Sequence, residues 1–317
     1  MWKTKFALSI IIFLVNLAIF APFIAPYSYK KQFRDYVFAP PTHIHMSLKG
    51  LYIYRLKPVK SLTRAYKEDK NKICYIDFFV KSKKDFKLFR PSCGHIFLLG
   101  TDALGRDEFS RLLYALRVSL AISVIGAITT ITVGTLIGSL AGYVGGFLDN
   151  IVMRLVEVMM AMPTFYLMLS IRALFPLDIS GVYVFGMIVF ILSFFGFAPF
   201  SRIIRGMVLS IREYDYVNVA KFYGANPFYI IFKHILPNIK SYIVISTVLS
   251  IPAYIVAEGS LSFLGLGIQE PYPSLGNMLP KSIYIILLYP WTLSSAVVIF
   301  LLIVALNLLG DGLSERE

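Results

Sequence analysis

Residues Tyr214–Asn238 read YDYVNVAKFYGANPFYIIFKHILPN, a half-polar, basic stretch between long apolar runs. Glu213 and Asp215 precede a helix-compatible segment, where carboxylates suit the positive end of the helix dipole. Tyr216, Val219, Ala220 and Tyr223 follow at helical spacing and are expected to form its packing face. Gly224 ends that helix, because glycine takes the left-handed position after a helix without strain. Asn226 as N-cap and Pro227 in the first turn open a second helix. Its apolar face is expected from Phe228, Ile231, Phe232 and Ile235, with Lys233 and His234 at the negative end and Pro237 stopping further winding. The pattern predicts a helix–turn–helix that can act as a rigid lever between two membrane helices.

The flanking runs fix the solvent. The chain is 57% hydrophobic and only 15% charged over 317 residues, too apolar for a soluble protein of this length. Crossing a hydrocarbon core takes about 20 apolar helical residues. Six runs qualify: Phe6–Ile24, Val118–Gly142, Ile151–Leu174, Ile179–Pro199, Ser241–Leu266 and Ile283–Leu309. An all-α polytopic membrane protein with six transmembrane helices is predicted. The first run exceeds a signal-peptide core of ~7–15 residues and lacks a clean cleavage site, so it is read as a retained helix. Pro163, Pro199, Pro252 and Pro290 are expected to kink or end spans.

Charge bias in the short loops orients the chain. Lys3 and Lys5 put the N-terminus inside, and the basic loop 202–240 and the C-terminus follow on the same side. Residues 27–100 then lie outside, although they hold sixteen Lys/Arg against five Asp/Glu, a net +11 of the chain's +13. Long segments translocate largely regardless of charge, so the short loops decide. The chain divides into an N-terminal helix (1–27), an extracytoplasmic insertion (28–98) and a five-helix core (99–317). LYIYRL (51–56) and ICYIDFFV (73–80) read as short strands separated by turn-prone KEDKN, which gives the insertion a small β-containing fold. Cys74 and Cys93 either pair in an oxidising exterior or remain two buried thiols. His43, His45 and His95 lack any strong metal-ligand spacing and read as polar surface residues, so no metal site is assigned.

The stretch 218–237 resembles the coupling loop of ABC importer permeases, with Asn218, Val219 and Ala220 at the leading EAA positions, Gly224 as the glycine, Ile235 as the isoleucine and Leu236-Pro237 as the close. Asn218 stands where the family usually has glutamate, and Val219 where it has alanine. LGTDALGRDEFSRLL (99–113), AEGSLSFLGLG (257–267) and NLLGDGL (307–313) resemble the dipeptide/oligopeptide/nickel permeases more specifically. The resemblance implies the ABC type I importer fold and a non-enzymatic permease subunit in a prokaryotic cytoplasmic membrane. Its partners would be a second homologous permease, two ATP-binding subunits and an extracytoplasmic substrate-binding protein, with membrane lipid around it and no nucleic acid. Asn218, Ala220, Gly224, Ala225, Ile235 and Pro237 would couple the chain to the ATPase. ATP and Mg would be used by that ATPase, with no cofactor bound by this chain; the sequence has no G-x4-GK[ST] phosphate loop. Peptides rank ahead of oligosaccharides and nickel chelates as substrate.

Outside the loop, Asp102, Arg106, Asp107 and Arg111 form two acid-before-base pairs four residues apart, read as an amphipathic outer elbow or gate. Gly126, Thr130, Gly134, Gly138 and Gly142 share a helical face suited to close packing. Glu258 is the one carboxylate well inside a span and is expected to face the bundle interior in a structural hydrogen-bonding role. A secondary transporter would need further intramembrane acid or histidine relays, and a membrane enzyme would need a catalytic constellation; the sequence displays neither.

Overall fold

The computed structural model describes residues 2–60, 65–81, 86–176, 181–283 and 287–315. Helices dominate: α1 (Trp2–Ile19), α2 (Ala21–Ile24), α3 (Glu108–Val144), α4 (Gly146–Ala161), α5 (Thr164–Ala173), α6 (Gly181–Ile211), α7 (Asp215–Phe222), α8 (Pro227–Ile230), α9 (Leu236–Phe263), α10 (Leu275–Ile283) and α11 (Ser294–Ser314). Among the described residues five helices are long and apolar enough to cross a membrane, or up to six if α4 and α5 count as one broken span. Those two meet at 83°. Met162 is extended there (ψ 138°), as a residue before proline tends to be, and Pro163 follows.

The apolar runs and the helices differ in instructive places. Run 283–309 holds one candidate span, Pro290–Ser314, which opens with a 3-10 turn at Pro290–Leu293 and continues as α11; residues 284–286 lie outside the described residues. Ile179, the predicted start of the fourth run, also lies outside the described residues. Pro199 and Pro252 sit inside continuous helices. Pro237 does not stop its helix either. A π-turn at Ile231–Ile235 widens the backbone just before it, with the Leu236 amide donating back to Ile231, and winding then continues as α9.

Between the first helices and α3 stand four antiparallel strands, β1 (Ile44–Ser47), β2 (Gly50–Lys60), β3 (Ala65–Lys81) and β4 (Phe86–Pro91), in the order β1-β2-β3-β4. KEDKN is not a turn between strands. It lies within β3, where Tyr54 pairs with Ile73 but Arg55 pairs with Asp69, so residues 70–72 bulge out of the ladder. The Asp69 carboxylate accepts from the Asn71 amide, the local turn chemistry that the sequence carries, here spent on a bulge. The sheet buries Ile53, Leu56, Cys74 and Ile76 against Tyr27, Phe33, Tyr36, Ile96 and Phe97. Cys74 and Cys93 are joined by a disulfide. The half-buried His95 ring lies against the edge of this core, 4.5 Å from Phe33 and 5.3 Å from Tyr36. Burial, with Lys31 and Arg55 nearby, holds its imidazole below the ordinary value.

The chain divides into two compact units, one of Met1–Lys5, Ile122–Ala257 and Leu306–Glu317 and one of Phe6–Ala121 and Glu258–Ala305. In the first, the glycine face of α3 receives α6. A side chain at Gly134 would lie 2.8 Å from the Phe200 ring, and one at Gly138 would strike the Ser201 carbonyl. Thr130 Oγ1 and Tyr254 OH are 2.6 Å apart on the same face.

Candidate functional site

The loop 211–240 builds itself from local chemistry. α7 ends in a Schellman arrangement: the Gly224 amide donates to Lys221 O and the Ala225 amide to Ala220 O, with Gly224 at φ 75°. Asn226 Oδ1 accepts from the Phe228 amide, capping the next helix, and Pro227 occupies its first turn. The turn geometry matches the expectation residue for residue.

The faces do not. The buried residues are Val217, Ile230, Ile231 and Ile235, packed on Phe200, Ile204, Val208 and Ile211 of α6 and Ile131 of α3. Tyr216, Val219 and Tyr223, expected to pack, are exposed, as are Phe222, Phe228, Tyr229 and Phe232. Asn218 is exposed and donates to Glu213 O, Ala220 and Ala225 are half-buried against the isoleucine cluster, and Pro237 is exposed. Polar ties complete the attachment. Lys221 donates to Arg212 O, and Arg212 donates to Gly142 O at the end of α3. Nearby, the Arg205 guanidinium holds the buried Asp149 carboxylate through Nε at 2.9 Å. The element is thus bolted on one side and presents an aromatic surface on the other. Apolar patterning alone cannot separate these sides, since both are apolar.

Asp102, Arg106 and Arg111 form the second cluster, and it is not an exposed helical elbow. Asp102–Asp107 precede the helix, and Asp102, Arg106, Asp107 and Arg111 are all buried. Asp102 Oδ1 accepts from the amides of Leu104 and Arg106, and its Oδ2 accepts from Arg106 Nε at 2.7 Å. Arg106 and Arg111 then converge on Glu270, with Nη2 of each 3.2 Å from Oε1. Asp107 does not pair with Arg111. It accepts from the Ser110 amide at 2.8 Å, and burial pushes its carboxyl up to about 7. Glu270 was missed because its partners lie more than 150 positions away. The available signal was charge balance: two arginines need two carboxylates once Asp107 is otherwise engaged.

Glu258 is fully buried and accepts from Ser119 Oγ at 2.9 Å and Ser262 Oγ at 2.7 Å. Ser119 Oγ also accepts from the Leu275 amide at the head of α10, so the carboxylate anchors a serine network.

Residues 134–316 match the family described as binding-protein-dependent transport system inner membrane component, and residues 5–41 match the N-terminal membrane domain of oligopeptide transport permease C. The dipeptide transport system permease protein DppC of Bacillus subtilis is 41% identical over 71% of this chain and 68% of its own length. The glutathione transport system permease protein GsiD of Pectobacterium atrosepticum is 38% identical over 71% and 72%. The oligopeptide transport system permease protein OppC of Mycobacterium tuberculosis is 34% identical over 73% and 78%. Among solved structures, an inward-facing form of the MetNI methionine ABC transporter matches with TM-score 0.50 at 17% identity, covering 66% of this chain and 96% of that one.

Proposed function

The chain belongs to the binding-protein-dependent transport system inner membrane components, and from that premise we propose that it is the permease subunit of an ATP-driven ABC importer of di- and oligopeptides. Relatives named for dipeptides, oligopeptides and glutathione support that substrate class. A second permease completes the path, two ATP-binding subunits dock below with their ATP and Mg, and an external binding protein delivers the peptide. The broken pair α4–α5 counts as one span, which gives six, with both termini and 202–240 cytoplasmic and 28–98 outside.

The observation that carries this reading is the one-sided attachment of the loop. Its isoleucines are sunk into α6 and α3, while Val219, Phe222, Tyr223, Phe228 and Phe232 stand exposed around the Gly224 turn. An ATPase groove that grips this aromatic face and moves on closing pulls two membrane helices with it, because the bolted side cannot slip without opening a packed core. Asn218 and Ala225 line the turn, Ala220, Ile235 and Pro237 set its footing, and Glu270 with Arg106 and Arg111 ties outer segments of the same chain together.

Gly224→Arg separates coupling from folding. A Cβ at Gly224 meets nothing within 4 Å among the described residues, so this chain has room for the bulk while a receiving groove does not. In proteoliposomes holding the complete transporter, the variant should assemble yet lose stimulation of ATP hydrolysis by loaded binding protein. Normal uptake by that variant would overturn the coupling assignment. Affinities of the binding protein for peptides, oligosaccharides and nickel chelates test the substrate separately.

A further inference from the structure

The turn end of the β3–β4 hairpin carries Phe78, Phe79 and Phe86, all exposed, Phe79 to 63%. The rings of Phe79 and Phe86 lie 6.3 and 5.3 Å from that of Phe23, which belongs to α2, and 6.4 Å from each other. Helix α2 follows the membrane-length α1 after one residue, Phe20, and Ile19 and Phe20 are exposed as well. Lys87 fixes the hairpin there, its ammonium donating to the Pro22 carbonyl at 2.8 Å. The backbone at Phe79 is left-handed, φ 54°, a conformation that a bulky side chain rarely adopts. The strand keeps that strain, and the ring stays in the cluster with Phe23 and Phe86.

An aromatic patch of this kind is costly in water and is ordinary at a bilayer surface, where rings sit at headgroup depth. We propose that the ends of β3 and β4 form a membrane anchor: Phe79 and Phe86 enter the outer leaflet of the bilayer that α1 crosses, with Lys81 at the rim. The occupant follows from continuity. The rings of Phe79 and Phe86 contact Phe23 on α2, which follows α1 after Phe20, so what solvates the exposed Ile19 and Phe20 is also what Phe79 and Phe86 meet. Exposed Lys81, paired across the ladder with Phe86, supplies a cation where phosphate headgroups lie. The insertion is then held at two points, its disulfide-closed sheet lying along the membrane surface instead of standing free above it.

This inference rests on α1 crossing the bilayer, so its test carries a control for that. Tryptophan is introduced singly as Phe79→Trp, Ile12→Trp on exposed α1, and Leu48→Trp at the far β1–β2 turn, each in the complete transporter in vesicles containing brominated phosphatidylcholine. The emission that each substitution adds over the parent is then followed. Phe79→Trp should add blue-shifted emission that brominated lipid quenches, as for Ile12→Trp, while emission added by Leu48→Trp stays unquenched. If Ile12→Trp is quenched and Phe79→Trp is not, the anchor is wrong and the span stands; blue-shifted but unquenched emission from Phe79→Trp would mean that a protein covers the patch, which also overturns the anchor. If neither is quenched, the span reading falls and takes the anchor with it.

Discussion

Gly224 and Asp107 show how single residues serve opposite ends. At Gly224 the demand is backbone: φ 75° in a Schellman turn, with open space beyond. Gly224→Ala should therefore cost roughly 1–2 kcal/mol locally and leave measurable uptake, unlike the arginine variant. At Asp107 the demand is burial. Its folded pKa of about 7 lies above the ordinary carboxyl value, so the native state holds a proton that an unfolded chain releases at lower pH. Stability from this group is present at acid pH and is lost as pH rises through about 7, over a range worth on the order of a few kcal/mol. Thermal unfolding in detergent, followed between about pH 5 and pH 8, should show Asp107→Asn with a flatter decline than the parent. An unchanged slope would mean that Asp107 is ionised and paired after all.

Elements were legible wherever local chemistry sets their ends, and illegible wherever partners do. Gly224, Asn226 and Pro227 mark the turn between α7 and α8 because capping and left-handed preferences act over four or five residues. In the same stretch Ile231 and Ile235 are buried as the pattern implies, but Tyr216, Val219, Tyr223, Phe228 and Phe232 are exposed, since apolar spacing alone does not tell a buried face from an exposed one. KEDKN reads as a turn, yet long pairing on both sides carries β3 through it as a bulge. Likewise, the four-residue spacing of Asp102 and Asp107 to their arginines suggested a helix surface, whereas Glu270 from a distant loop draws Arg106 and Arg111 inward. The disulfide lets the insertion be tested as an element. Closing a loop of 19 residues is worth roughly 3 kcal/mol. Cys74→Ala with Cys93→Ala should therefore make the sheet protease-sensitive while the membrane helices still insert. Equal protease resistance would show that the aromatic core suffices alone.

At the scale of the whole molecule, sidedness is the quantity to measure. Both native cysteines are consumed by the disulfide, so any introduced cysteine is a unique reactive thiol. In intact cells Leu48→Cys should react with a membrane-impermeant maleimide, and Tyr223→Cys only after permeabilisation; the reverse pattern would invert the topology. The candidate span Pro227–Phe263 runs from beside the Gly224 turn through the π-turn into α9. Its 37 residues have a contour length of about 55 Å, whereas hydrocarbon is about 30 Å thick. In a bilayer the excess would form an overhang, and the tilt of the immersed part would set how far that overhang stands from the headgroups. A thicker bilayer draws such a helix upright, and a thinner one lays it over. Acyl-chain length is thereby expected to act as a mechanical variable for this chain, setting the height of the exposed aromatic residues around the Gly224 turn.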